Sequence, residues 1–335
     1  MLNMAMTDYF FELSESQKRQ YIDAETVFIA LAQARKAAAA VRGSMIWREL
    51  RGTRTLIRTS ASGGQKSIGP HSDATQQLFD NFIARKSHLE DRVKALKAQL
   101  TLQQRLNRAH RVGRVPNIVV SVINALENAG VQDHFMVVGT HALYAFELAA
   151  GVRIAEQAMA TRDVDMLFDT RKRVSFLTAM RKLDSSLIGL LRKADPSFEV
   201  VVEQHYTARN NDGFEVDIIR RNAGTIDPHP MRMSDEEDDF WAVQVSMGEK
   251  LQSARRFDQV VVATSGEMAL MRTIHPLDFA RIKLALSQQA SRDPNRRGKD
   301  ALQANIVTAL VERYLPMESS PAPASQRSSG SPKIQ

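Results

Sequence analysis

The chain has 335 residues, a formal net charge of +7 at pH 7 and 43% hydrophobic residues, and this length predicts two or three folding units with enough apolar side chains to bury a core in each. Because the sequence contains no cysteine, disulfides, thiolate zinc sites and cysteine nucleophiles are excluded, and the cytoplasm is the expected location. No run approaches the roughly 20 apolar residues of a membrane-spanning helix, and the first residues carry no secretion signal, so we expect no association with a membrane.

The first third of the chain is predicted to be mainly helical. Apolar positions at helical spacing predict a helix over 16–40 and a long helical stretch over 73–110, which forms either a single arm or a helical hairpin. Between them, two β-rich runs predict a β-hairpin with strands at 45–50 and 54–59. The residues that follow, 60–72, are rich in Gly and Ser and are expected to form a loop.

Positive charge is concentrated in residues 42–116, which contain fifteen Lys and Arg against five Asp and Glu. A solvated helical surface accounts for this charge about as well as a surface for a polyanion such as RNA, because Lys and Arg are also good helix formers. Gly113 and Pro116 then break the helical pattern, which predicts a domain boundary. We therefore expect residues 1–116 to form a basic N-terminal region.

The rest of the chain alternates strands and helices, which is typical of an α/β or α+β fold. We expect a core at 117–265, a C-terminal helical region at 266–316 and a disordered tail at 317–335, where apolar side chains are too few to offset the entropy of ordering. The predicted elements are a helix at 118–129, a strand at 135–138, a helix at 141–150, a strand at 164–168, a helix at 171–182, strands at 199–203, 214–219 and 259–263, and helices at 276–287 and 298–314.

Two carboxylates, Asp163 and Asp165, stand one residue apart inside an apolar run. Alternate side chains of a strand share a face, so the two carboxylates project together while Val164 points into the core. Hard divalent cations such as Mg²⁺ or Mn²⁺ prefer oxygen ligands and are often held by one or two carboxylates plus substrate phosphates. If the strand of Asp217 lies beside this one, three carboxylates converge, and such a group can hold two cations about 3.5–4 Å apart for nucleotidyl transfer.

A turn at Gly139-Thr140 follows one of the predicted strands. Without a Cβ, Gly139 allows backbone amides at the start of the next helix to approach phosphate oxygens, and the Thr140 hydroxyl supplies a further donor. The 24 positions from Gly139 to Asp163 leave room for a longer helix and an inserted loop at 151–160. His141 begins the helix, where it serves either a capping or packing role or a contact to the nucleotide.

Taken together, Gly139-Thr140, Asp163-x-Asp165 and Asp217 resemble the motifs of the DNA polymerase beta-like nucleotidyltransferase superfamily. Their context is most similar to a bacterial branch of nucleotidyltransferase-fold proteins that is related in motif style to the abortive-infection toxin enzymes. The resemblance implies a mixed sheet with flanking helices, catalytic and metal-binding roles for the three aspartates, and Mg²⁺ or Mn²⁺ as the cofactor.

The same resemblance identifies candidate nucleotide-binding residues. In the toxin-like branch, a lysine in a helix after the core lies near the nucleotide phosphates, and Lys283 occupies a matching position. Gly139, Thr140 and Lys283 are therefore the candidates. Weaker candidates for phosphate contacts are Arg153, Arg162, Arg292, Lys299 and Asp300. Arg162 either contacts phosphate or, because it alternates away from Asp163 and Asp165, faces the opposite side of the sheet.

The resemblance implies transfer of an NMP group from an NTP to an acceptor hydroxyl, with release of pyrophosphate. The basic N-terminal region favours RNA or tRNA as the acceptor, while a protein or a small molecule remains open, and a toxin-like role would add an antitoxin partner. The alternative is a catalytically inactive protein of the same fold that binds nucleic acid or a protein partner.

Overall fold

The computed structural model describes residues 9–50, 52–225, 227–237 and 239–319. Its α-helices are, in chain order, α1 (Glu15–Ala40), α2 (Asp73–Ala109), α3 (Asn117–Asn128), α4 (Ala142–Ala150), α5 (Glu156–Met159), α6 (Arg173–Leu183), α7 (Leu187–Arg192), α8 (Gly248–Ser253), α9 (Pro276–Ser287) and α10 (Pro294–Tyr314). Its strands are β1 (Phe10–Glu12), β2 (Ser44–Leu50), β3 (Thr53–Thr59), β4 (Gln65–Pro70), β5 (Phe135–Val138), β6 (Val152–Ile154), β7 (Asp163–Phe168), β8 (Glu199–Val201), β9 (Gln204–Arg209), β10 (Glu215–Arg220), β11 (Met231–Arg232), β12 (Trp241–Gln244), β13 (Arg256–Val262) and β14 (Met268–Ile274). This content confirms the predicted α+β class.

The chain divides into two compact units. The arm unit comprises residues 14–114 together with 262–268, the turn of the β13–β14 hairpin. The core unit comprises the other described residues, which are 9–13, those between 115 and 261, and 269–319.

The arm unit is built on the packing of α1 against α2. Both helices begin with a capping box, at Ser14 and at Ser72, which satisfies backbone N–H groups that the first turn leaves without partners. Between the helices, the Gln20 side-chain amide donates to Gln103 Oε1 at 2.7 Å and to Asn107 Oδ1 at 3.1 Å. Since α2 is continuous from Asp73 to Ala109, the stretch that the sequence left open is one long helix.

The expected loop at 60–72 was wrong, because Gln65–Pro70 forms β4, which pairs antiparallel with β3. Together with β2, these strands make a three-stranded sheet in place of the predicted hairpin. The strand is at the sheet edge and its side chains are mostly exposed, including Ile68 at 37%. An exposed edge strand needs no alternation of apolar residues, so the pattern that reveals a half-buried strand is missing.

The central sheet of the core unit has the strand order β11-β12-β10-β7-β5, and in addition β9 pairs with β10 and β8 pairs with β9. β10 runs parallel to β7 with Asp217 opposite Asp165, and β5 runs antiparallel to β7 with Val138 opposite Asp165. Val164 and Ile218 are 1% exposed, so one face of this strand pair is buried as the alternation predicted. The register places the turn after β5 beside the acidic residues of β7.

Several predicted elements of the core unit differ from the structure. The strand predicted at 199–203 ends at Val201, and the next strand, β9, was not predicted because its mixture of polar and charged residues hides the strand pattern. The expected loop at 151–160 contains β6 and α5. The helix predicted at 298–314 begins at Pro294, where Asp293 Oδ1 accepts hydrogen bonds from two backbone N–H groups of the first turn.

The predicted disordered tail falls mostly outside the described residues, which end at Ser319. The part that is described, 317–319, belongs to a 3₁₀ turn, and Glu318 Oε2 lies 2.8 Å from His275 Nε2. Among the described residues, none of the helices combines the length and apolar character needed to cross a membrane.

Candidate active site

The structure brings the three predicted carboxylates together. Asp163 and Asp165 lie on β7, and Asp217 lies on β10 directly opposite Asp165. One carboxylate oxygen from each residue lies within 4.8 Å of the others. Because all three donors are carboxylate oxygens, this group fits a hard cation such as Mg²⁺ or Mn²⁺ and does not resemble a site for a softer metal.

The carboxylates of the triad destabilise one another's charges. Burial, followed by the charges of Asp163 and Asp217, raises the pKa of Asp165 to about 7. Burial also raises the pKa of Asp217, although the Thr207 hydroxyl opposes the shift by donating to Asp217 Oδ1 at 2.6 Å. A bound cation would relieve the repulsion between these groups.

Gly139 is required beside the triad for two reasons. Its φ of +66° lies in the left-handed region that favours glycine, and a Cβ at this position would lie 2.4 Å from Asp165 Oδ2. The adjacent Thr140 is 8% exposed, and its hydroxyl oxygen accepts a hydrogen bond from Gln303 Nε2 at 3.1 Å. Gln303 also donates to the Ala158 carbonyl at 2.7 Å, so α10 fixes the turn against α5.

A cleft of about 270 Å³ lies next to Gly139 and Asp165. Lys283 and Arg292 also line it. Each of these cations is held by Asp300, at 2.8 Å for Lys283 Nζ and 2.5 Å for Arg292 Nε, and Asp300 is 2% exposed. The remaining lining residues are mainly apolar: Val138, Ile219, Val245, Ser246, Met247, Leu251, Ile274, Phe279, Ile282 and Leu286. The cleft thus has a carboxylate and two cations beside an apolar wall, a combination that can bind a charged ligand with an apolar part.

The other candidates for phosphate contacts occupy different positions. Lys299 Nζ donates to the Ala160 carbonyl at 2.6 Å, and burial together with the Lys283 charge lowers its pKa. Arg153 lies on β6 opposite Phe11 of β1, and Arg162 lines a separate groove. Neither arginine is among the residues that line the cleft.

His141 is packed inside the core unit. It is 1% exposed, and its ring lies 5.7 Å from that of Tyr144 and 5.9 Å from that of Phe214. Burial lowers the pKa of His141 to about 4, and the negative charge of the nearby Asp163 opposes this shift only in part. The imidazole therefore contributes an aromatic contact at the edge of the triad.

Sequence reasoning missed two residues that act on the triad. Glu215 lies opposite Asp163 on the face that carries Asp217, and its Oε1 accepts a hydrogen bond from Arg209 Nε at 2.7 Å. The alternation rule could have found it, since Glu215-x-Asp217 repeats the acid-x-acid spacing. Arg296 on α10 is close enough for its charge to oppose the raised pKa of both Asp165 and Asp217. No local sequence signal indicates this, because α10 is distant from both strands in the chain.

A mixed sheet that presents three carboxylates beside a glycine turn, with cations in the adjoining cleft, is typical of a nucleotidyltransferase. A family model described as nucleotidyltransferase matches residues 117–326, and the chain belongs to this family. The matched region contains the three aspartates, Gly139, Thr140 and Lys283. No curated protein and no solved structure matched the chain in the corresponding searches.

Proposed function

We propose that this protein is a metal-dependent nucleotidyltransferase that transfers an NMP group from an NTP to an acceptor hydroxyl and releases pyrophosphate. The observation that carries the proposal is the convergence of Asp163, Asp165 and Asp217 beside Gly139. Residues 117–265 form the catalytic core in this proposal, and residues 266–316 supply Lys283 to the nucleotide cleft.

The three aspartates would hold the divalent cation, with Mg²⁺ or Mn²⁺ as the candidates. When bound, such a cation supplies Lewis-acid charge that neutralises the phosphates and the leaving group. The fit rests on the all-oxygen donor set and on the raised pKa of Asp165, whose charge is disfavoured by burial and by the neighbouring carboxylates.

In the proposed transfer, different residues act on the attacking hydroxyl and on the leaving pyrophosphate. The acceptor oxygen forms a bond to the α-phosphorus, and the bond from that phosphorus to the oxygen bridging the β-phosphate breaks, so pyrophosphate leaves with the electron pair. The hydroxyl proton passes to Asp217 Oδ2, while Thr207 orients the carboxylate through Oδ1. Lys283 and Arg292 offset the charge that the pyrophosphate gains.

RNA, including tRNA, is our proposed acceptor. The support comes from the arm unit, where α2 exposes four cations that lie within about 80° of one another around the helix axis: Lys94, Lys97, Arg105 and Arg108. Such a row can contact successive phosphates without reading sequence. A toxin role with an antitoxin partner is compatible with the same activity.

To test the proposal, the purified protein is incubated with each α-³²P-labelled NTP in the presence of Mg²⁺ or Mn²⁺. The acceptor offered is total RNA, a protein mixture or a small-molecule extract, each in a separate reaction. We expect transfer to one acceptor class, and a loss of at least about 100-fold in Asp163→Asn and Asp165→Asn, since replacing a ligand should cost more than disturbing its hydrogen-bond partners. Asp258→Asn is the matched control, because Asp258 lies on β13 and pairs with Arg256. Transfer that survives both triad substitutions would contradict the assigned site.

A further inference from the structure

Asp163 and Asp217 each accept a hydrogen bond from a threonine hydroxyl. Thr161 Oγ1 donates to Asp163 Oδ1. Thr207 Oγ1 donates to Asp217 Oδ1 at 2.6 Å. Thr161 comes two residues before Asp163 in the chain, whereas Thr207 lies on β9 opposite Asp217. Each of these two carboxylates therefore has one oxygen held by a neutral donor of the protein.

The backbone around Thr161 is held on both sides. Lys299 Nζ from α10 donates to the Ala160 carbonyl at 2.6 Å. On the other side, the Glu215 N–H of β10 donates to the Arg162 carbonyl at 3.0 Å. Threonine is branched at Cβ, which restricts its χ1 angle. The fold therefore sets the direction of the Thr161 hydroxyl without the help of a bound ligand.

The Asp163 carboxylate is repelled by its neighbours when no cation is bound. After burial, the charge of Asp163 is among the causes that raise the pKa of Asp165 and the pKa of Asp217. Glu215 adds a further carboxylate opposite Asp163 on the neighbouring strand. Asp163 is only half-buried, and rotation about its χ1 angle gives the carboxylate other orientations. The hydrogen bond from Thr161 opposes this rotation.

A carboxylate that is already in place binds a cation more tightly than one that must first be ordered. Fixing a mobile side chain costs conformational entropy, which reduces the binding free energy. Losing a hydrogen-bond partner of a metal ligand typically weakens metal binding about 10–100-fold. In this protein, Thr161 orders the Asp163 carboxylate before any cation binds.

We propose that Thr161 is a positioning residue of the metal site, whose hydroxyl holds the Asp163 carboxylate in the orientation that binds the divalent cation. Thr207, which is 1% exposed, holds Asp217 in the same way. This inference rests on the proposed function. It gives Thr161 a role in cation affinity alone, because the hydroxyl acts through Asp163 and not on the nucleotide. An excess of cation should therefore restore the transfer rate of a variant that lacks the hydroxyl.

The first measurement is the Kd for Mn²⁺ without nucleotide, determined by electron paramagnetic resonance of the free ion. Thr161→Val removes the hydroxyl with little change of shape, and Thr161→Ser keeps a hydroxyl at the same position. Thr178→Val is the matched control, because Thr178 lies on α6 and its hydroxyl donates to the Val174 carbonyl at 2.8 Å. We expect Thr161→Val to raise the Kd for Mn²⁺ about tenfold, and the other two variants to remain close to the wild type.

The second measurement is the dependence of the transfer rate on the Mg²⁺ concentration. Thr161→Val should need about tenfold more Mg²⁺ for half-maximal activity and should reach nearly the wild-type rate at saturating Mg²⁺. A variant that is damaged in its fold would instead have a lower maximal rate at every Mg²⁺ concentration. Circular dichroism verifies that each variant is folded.

Three results would overturn the inference and leave the proposed function intact, provided that Asp163→Asn still abolishes Mn²⁺ binding and transfer. One is an unchanged Kd for Mn²⁺ in Thr161→Val. Another is an equal loss of affinity in Thr161→Val and Thr161→Ser, because the hydroxyl would then not be responsible. The last is a maximal rate of Thr161→Val that stays low in excess Mg²⁺. If the wild type neither binds Mn²⁺ nor transfers a nucleotide, the proposed function itself is contradicted, and this inference fails with it.

Discussion

Gly139 and Asp165 are in such close contact that a Cβ on the glycine would lie 2.4 Å from Asp165 Oδ2. The two residues come from antiparallel strands, since Val138 at the end of β5 is opposite Asp165 on β7. The carboxylate thus lies against the backbone of the turn that opens α4. This contact couples Asp165, a proposed metal ligand, to the backbone that we propose receives the nucleotide phosphates.

The first prediction concerns this contact. Gly139→Ala should abolish transfer and lower the melting temperature, because alanine must adopt an unfavourable φ and also displace Asp165. Gly213→Ala is the matched control, because its φ is +75° but nothing lies within 4 Å of the added Cβ. The control should lose only about 1–2 kcal/mol of unfolding free energy through backbone strain and retain activity. Thermal unfolding and the transfer assay measure both effects, and equal losses in the two variants would contradict the contact.

The second prediction concerns pH and metal. The folded-state pKa of Asp165 is raised to about 7 from an ordinary value of 3.8, so the metal-free folded protein binds this proton more tightly than the unfolded chain does. The free energy of unfolding should therefore fall as pH rises from about 4 to about 7. Asp165→Asn removes the charge and should raise the melting temperature of the metal-free protein above pH 7 while abolishing transfer.

Thermal unfolding in EDTA and in excess Mg²⁺ measures this effect across the pH range. Mg²⁺ should stabilise the wild type increasingly as pH rises, and it should stabilise Asp165→Asn much less. Asp258→Asn should behave as the wild type in both conditions, because Asp258 lies on β13 in a surface ion pair with Arg256. If Asp165→Asn has the same melting temperature as the wild type in EDTA, the buried charge of Asp165 does not destabilise the metal-free protein and the prediction is wrong.

The third prediction separates phosphate binding from base binding in the cleft. Lys283→Ala should weaken NTP binding about tenfold or more and NMP binding much less, since Lys283 is assigned to the phosphates that leave. Lys250→Ala on α8, where the side chain is exposed, should change neither affinity. Calorimetric titration with both nucleotides provides the measurement, and equal weakening of the two affinities would place Lys283 elsewhere on the nucleotide.

The fourth prediction concerns the cations of α2. Replacing Lys94 and Lys97 with Gln should reduce the slope of log K against log salt for single-stranded RNA by about 0.7 for each phosphate that the helix no longer neutralises. Anisotropy titrations over a range of salt concentrations measure this slope. An unchanged slope would show that the exposed face of α2 is only a solvated surface, while the transfer activity would remain a separate question.

Local patterns were sufficient to predict much of this chain. Helical spacing predicted α1 and α9, and alternation within an apolar run placed Asp163 and Asp165 on one face of β7. A short motif also pointed to a nucleotidyltransferase, which is the class that the family comparison supports. The helices and strands can be predicted because burying one face of an element makes apolar residues recur at a fixed spacing along the sequence.

The tertiary structure alone decided which of these elements meet. The parallel pairing of β10 with β7 sets Asp217 opposite Asp165, and a slip of one residue would turn Asp217 to the other face of the sheet. The buried Asp300 that holds Lys283 and Arg292 likewise depends on the packing of α10 against α9. Such register and packing are set by contacts between residues distant in the chain, whereas the sequence by itself determined the elements and the residues that each could present.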